Sequence, residues 1–105
     1  MTALNINKEL YNKHIKEEKQ PVLVEFWAPW CVYCRRIGPA FDKVAKEADG
    51  LLLAKVNIDE EPDLAAENNI VVIPTLVLFK EGQAVASITA PDSKAKIDQF
   101  IRENL

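Results

Sequence analysis

A chain of 105 residues, 49% hydrophobic and 28% charged, has the balance of one globular domain (residues 1–105) rather than of a disordered tail. Sixteen acidic residues against thirteen basic ones give a formal charge of -3, and the absence of any basic block excludes nucleic acid as a partner. The longest apolar run, Ile70–Phe79, contains Pro74 and Thr75 and falls far short of the roughly 20 residues that cross a bilayer, so no membrane association is expected.

The N-terminus has neither a basic start nor an apolar stretch, which points to a cytoplasmic protein without a secretory leader. A short strand is expected at Leu4–Ile6. Asn7 can cap a first helix through Glu18, with Leu10, Tyr11, His14 and Ile15 on one side. Gln20-Pro21 breaks it, and Val22–Ala28 reads as a buried strand that is apolar apart from Glu25. A helix over Cys34–Ala48 follows, with Ile37, Phe41, Val44, Ala45 and Ala48 in a stripe, a kink at Gly38-Pro39 and a stop at Asp49-Gly50. Leu51–Ile58 is a second buried strand with Lys55 inside it, and a short helix covers Asp63–Asn68. Pro74–Lys80 and Gln83–Thr89 flank Glu81-Gly82, the signature of an antiparallel hairpin. The last helix starts near Ser93 and buries Ile97, Phe100, Ile101 and Leu105. Strand–helix–strand units demand right-handed crossovers and parallel pairing, so this order gives an α/β fold with a mixed sheet and helices on both faces.

Only two cysteines are present, Cys31 and Cys34, and a loop closed by two residues removes little entropy from the unfolded chain. The pair is therefore not a stabilising staple. Its place at a strand-to-helix junction gives it another use. Residues three apart on a first helical turn stand on one side, within disulfide reach. Cys31 at the helix N-terminus meets unpaired N–H groups and the positive end of the dipole, which favour a thiolate, the nucleophile of thiol–disulfide exchange. Cys34, one turn in, is the shielded resolving partner. Two alternatives stand beside this. Half of a zinc or iron–sulfur site would need about four ligands, and His14 is the only other soft candidate. An inert core pair is the other.

The segments Trp27-Ala-Pro-Trp30-Cys31-x-x-Cys34 with Pro39, Lys55-Val-Asn-Ile-Asp59, Ile73-Pro74-Thr75 and Phe79-Lys-Glu-Gly82 resemble the thioredoxin family over nearly the whole chain. The resemblance implies a thioredoxin fold, a central mixed sheet of four to five strands flanked by about four helices. It implies that Pro74 is a cis-proline beside the redox pair, leaving the backbone of Ile73 free to pair with an extended substrate segment; read alone, Pro74 is a strand-starting proline. Glu25 matches the family's buried acid, usually aspartate, and Lys55 its partner. A carboxylate in an apolar strand has a raised pKa, partly offset by a nearby lysine, and can exchange a proton with Cys34; the alternatives are a structural ion pair and a Glu25 that snorkels to the surface. Trp30, Val32, Tyr33, Ile58, Val72, Ile73 and Ala90 form the expected substrate surface. Trp27 is read as a packing residue, His14 as a helix-face histidine, and the charged runs Lys16–Lys19 and Asp59–Asp63 as solvated faces and turns.

The resemblance implies a thiol–disulfide oxidoreductase, a monomer that reduces protein disulfides through Cys31 and Cys34. It would be recycled by a thioredoxin reductase or a similar dithiol donor, with no cofactor beyond the redox-active disulfide and no metal. The dipeptide Val32-Tyr33 departs from the family's usual Gly-Pro. It lacks the histidine found in many isomerases and oxidants, while Tyr33 resembles the aromatic of glutaredoxin sites. The stretch around Glu25 also resembles protein disulfide isomerases. A disulfide oxidase or isomerase of the same fold and a non-catalytic binding module are the alternative functions. The chain holds three glycines where average usage gives about seven. Val32, Val72 and Ala90 stand where the family often has glycine, so a bulkier, more apolar groove is expected.

Overall fold

The computed structural model describes residues 3–105. Its elements are β1 (Leu4–Asn5), α1 (Lys8–Tyr11, continued by a π-helical stretch Asn12–Glu17), β2 (Val22–Trp27), α2 (Val32–Glu47) and β3 (Leu52–Asn57). They continue with α3 (Pro62–Glu67), β4 (Thr75–Lys80), β5 (Gln83–Thr89) and α4 (Lys94–Asn104). The strands form one five-stranded sheet in the order β1-β3-β2-β4-β5. β3 pairs in parallel with β1 and β2, while β4 runs antiparallel to both β2 and β5. The expected mixed α/β architecture is the observed one.

β2 lies at the centre and is covered on both faces, which is why its sequence is nearly all apolar. Alternation along the strand sorts its side chains. Val22, Val24 and Phe26 pack with Ile6, Tyr11, Ile15 and Leu64, the face closed by α1 and α3. Leu23 packs on the opposite side with Ile37, Phe41 and Val44 of α2 and Ile97 and Phe100 of α4. Glu25 and Trp27 share the parity of Leu23, so the single acid of the strand points under α2.

Several element ends differ from expectation. α2 begins two residues earlier, at Val32, because Cys31 itself serves as the N-cap. Pro39 lies inside this one helix, and the apolar stripe Ile37, Phe41, Val44 is buried on both sides of the proline. α1 changes pitch: the Glu18 N–H reaches the Lys13 carbonyl at 2.9 Å, a spacing of five residues that keeps Tyr11 and Ile15 both buried. A 3.6-residue periodicity carries no sign of this. The β4–β5 hairpin turns at Glu81 and Gly82 with φ of 54° and 79°, the positive values a type I′ turn demands at both central residues.

Phe41 is fully buried between α2 and the sheet. Phe41→Ala is expected to lower unfolding stability by about 3–5 kcal/mol, whereas Val85→Ala on the exposed edge strand should cost less than about 0.5 kcal/mol. Urea titrations of the two variants check the contrast.

Candidate active site

β2 ends at Trp27 and α2 starts at Val32, and the turn between them carries the cysteines. Cys31 has extended backbone angles, φ -86° and ψ 109°, and occupies the position where serine or aspartate usually caps a helix. Its Sγ accepts the Cys34 N–H at 3.1 Å. The sulfur thus takes the place of a capping oxygen at the positive end of a 16-residue helix, where negative charge is favoured. Cys31 and Cys34 are joined as a disulfide with Cα atoms 5.2 Å apart. Cys31 is 8% exposed and Cys34 3%, so the N-cap sulfur is the outer one. Ala28, Trp27, Ile58 and Ile73 pack around the pair.

The loop before β4 closes the other side. The Ile73–Pro74 peptide bond is cis, and the Ile73 carbonyl oxygen lies 3.9 Å from Cys31 Sγ. The Ala90 N–H donates to the Pro74 carbonyl at 2.7 Å, tying the end of β5 to this loop. Ala90 has φ 47°, in the left-handed region that favours glycine. On the segments next in sequence to the cysteines and to the cis-proline, Trp30 (65% exposed), Val32 (56%), Tyr33 (39%), Val71 (91%) and Val72 (52%) present apolar side chains to solvent. Ile58, Ile73 and Ala90 are half-buried in the same region.

On β2, with the strand parity that faces α2, Glu25 is 1% exposed. Burial pushes its carboxyl up from the ordinary 4.5 to about 7; the Lys55 ammonium pulls it down and the Asp42 carboxylate pushes it up. Lys55 is the register neighbour of Glu25 on β3. Its ammonium, however, ion-pairs with Asp42 Oδ1 of α2 at 3.2 Å and acts on Glu25 through space. Asp42 was not singled out from sequence. It follows buried Phe41 on α2, and only the packing of helix on sheet shows that it reaches β3.

The acidic run Asp59–Asp63 is not merely solvated. Both carboxylate oxygens of Asp59 accept the Trp30 indole N–H, at 3.1 and 3.2 Å, fixing the exposed ring beside Cys31. Glu61 Oε1 accepts the Lys8 N–H at 3.1 Å at the start of α1. Trp27 packs against the cysteines as expected, and its buried indole N–H has no hydrogen-bond partner among the described residues. His14 is engaged with Glu18 and Gln20 through Nδ1, at 3.1 and 2.8 Å. Among the described residues no three His, Cys, Asp or Glu side chains are grouped to hold a metal ion.

The buried carboxyl has a consequence for stability. A group whose folded pKa is raised holds its proton longer in the native state, so stability falls as pH rises from about 4.5 to about 7. The span corresponds to roughly 3 kcal/mol. Glu25→Gln, uncharged at every pH, is expected to remove this fall: its stability relative to the parent chain should improve by about 2–3 kcal/mol between about pH 4 and pH 8. Urea midpoints across pH measure the difference.

Comparison with known proteins agrees with this geometry. The thioredoxin family model matches residues 2–103. The chain is 36% identical over 104 residues to thioredoxin 1 of Nostoc sp., covering 98% of this chain and 97% of that protein. It is 41% identical over 101 residues to the chloroplastic M-type thioredoxin of Chlamydomonas reinhardtii, covering 95% and 72% respectively. It is 39% identical over 103 residues to the thioredoxin of Acidithiobacillus ferridurans, covering 97% and 95%. With a disulfide-forming Cys31–Cys34 pair at the head of α2, a five-stranded mixed sheet and this match along its length, the chain belongs to the thioredoxin family and carries out dithiol–disulfide exchange.

Proposed function

We propose that the chain, acting as a single domain and a monomer, reduces disulfides in other proteins, with Cys31 as the nucleophile. The observation that carries this reading is the position of Cys31 Sγ as the N-cap of α2, receiving the Cys34 N–H. In the reduced protein the same donor and the helix dipole stabilise a Cys31 thiolate. The thiolate attacks one sulfur of a substrate disulfide, and the other substrate sulfur leaves as a thiolate. Cys34 then gives its proton to the Glu25 carboxylate and attacks Cys31. The Cys31–Cys34 bond forms, the bond from Cys31 to the substrate breaks, and the second substrate thiolate departs. Two electrons have moved to the substrate. A thioredoxin reductase or similar dithiol donor returns them, with Glu25 giving its proton back to Cys34. The redox-active disulfide is the only redox group required, and a reducing cytoplasmic setting suits this direction.

The apolar rim of Trp30, Val32, Tyr33, Val72 and Ile73, with Ile58 and Ala90 set behind it, is the docking surface in this reading. The Ile73 backbone beside Cys31 is placed to pair with an extended substrate segment in the manner of strand addition. Pro74 and Lys55 support the site, the first by shaping the loop and the second by its field on Glu25.

In an insulin-reduction assay Cys31→Ser is expected to abolish turnover, while Cys34→Ser should accumulate mixed disulfides that a non-reducing gel displays; full activity of Cys31→Ser would overturn the mechanism. A glutathione titration sets the direction: a strongly reducing potential supports the reductase reading, an oxidising one an oxidase or isomerase, and a pair that does not cycle a binding module. The bulk of Val32, Val72 and Ala90 predicts kcat/KM values across a panel of protein disulfides that rank differently from those of a Gly-Pro thioredoxin. An identical ranking would argue against the narrowed groove.

A further inference from the structure

Three charged side chains meet where α2 lies over β2 and β3, and their pairing is not the one their burial suggests. Glu25 and Lys55 are direct neighbours across the parallel β2–β3 ladder. Yet the Lys55 ammonium pairs with Asp42, one helix away, at 3.2 Å. The Asp42 side chain is 39% exposed and that of Lys55 20%, whereas Glu25 is 1% exposed. An ion pair with Asp42 keeps both partners partly hydrated. A contact pair with Glu25 would strip the ammonium of water and fix the buried carboxyl in its ionised form.

We propose that Asp42 is a positioning residue of the exchange reaction: by holding the Lys55 ammonium at the edge of α2, it keeps Glu25 out of a contact ion pair and so able to take and return the Cys34 proton. The proposal rests on the reading of Glu25 as proton carrier given above and assigns the residue that keeps it in working order. The remaining surroundings of Glu25 supply no competing charge. Leu76 of β4 is its cross-strand neighbour, and Ile37 and Phe41 of α2 pack on the same side of the sheet. Lys55 and Asp42 are the two charges that act on it, with opposite signs. Removing Asp42 therefore acts twice in one direction. It deletes a repulsive carboxylate, and it frees the ammonium to turn toward Glu25.

The test uses the full chain with Asp42→Asn. In the oxidised protein the Glu25 side-chain carboxyl is titrated by 13C NMR, and its midpoint is expected to fall by about one pH unit. In the reduced protein the limb of the pH–rate profile for resolving a mixed disulfide should move to lower pH by the same amount. A midpoint that stays in place or rises overturns the proposal. Lys55→Met supplies the second arm. If Asp42 works through Lys55, Asp42→Asn made in the Lys55→Met background should shift Glu25 by much less than in the parent chain. An equal shift in both backgrounds overturns the positioning role and leaves a simple field effect. Glu25→Gln separates this from the underlying reading: a rate profile unchanged by Glu25→Gln removes Glu25 from the reaction, and the NMR titration of Asp42→Asn still decides whether Asp42 governs the carboxyl.

Discussion

Because β2 ends at Trp27 and α2 starts at Val32, Cys31 falls at the N-cap, and the Cys34 N–H is directed at its sulfur. A helix start leaves four N–H groups unpartnered, and here a sulfur accepts one of them. In the proposed mechanism the same bond that begins the helix prepares the nucleophile. It also sets the division of labour within the pair. Cys31 at the cap is the slightly more exposed of the two, 8% against 3% for Cys34 one turn on, and in the proposed mechanism attack falls to the first and resolution to the second.

The sheet then determines what the inner sulfur meets. Alternation along β2 gives α2 the side chains of Leu23, Glu25 and Trp27, two apolar groups and one acid. A carboxyl in that layer has lost nearly all of its water, which is the main reason its pKa rises toward neutrality. Opposite charges usually reverse such a rise. Here the lysine that could do so is engaged by a second acid closer to solvent, so desolvation prevails. In the proposed mechanism helix and sheet together make a proton-carrying group out of residues that would be an ordinary ion pair on a surface.

Around this centre the chain carries side chains rather than glycines. Two of its three glycines, Gly50 and Gly82, sit at turns with positive φ. At Ala90, beside Pro74, the same backbone region is occupied by a residue with a Cβ. The left-handed conformation costs an alanine about 1 kcal/mol, and the Ala90 N–H bond to Pro74 at 2.7 Å helps to hold it. Together with exposed valines at 32 and 72, this places side-chain bulk on the surface proposed to receive the substrate.

Much of this was legible along the chain. The apolar runs around Val24 and Leu53, each holding a single charged residue, announced strands covered on both faces, and Glu81-Gly82 announced the hairpin, because these signals are local and repeat with the period of the backbone. The cysteine pair was equally legible, since its chemistry follows from its spacing and from the helix start behind it. The π-helical pitch of α1 was not, because backbone hydrogen-bond spacing leaves no mark in a pattern of apolar residues. Nor were the partners of the charges. Asp59 read as a solvated turn and proved to hold the Trp30 indole. Asp42 read as an unremarked helix residue and proved to hold the lysine assigned to Glu25. The sequence by itself determined the order of elements and the redox pair, which depend on near neighbours. Only the tertiary structure decided which acid pairs with Lys55 and which stays buried, because that choice depends on how much water each group keeps once α2 packs on the sheet.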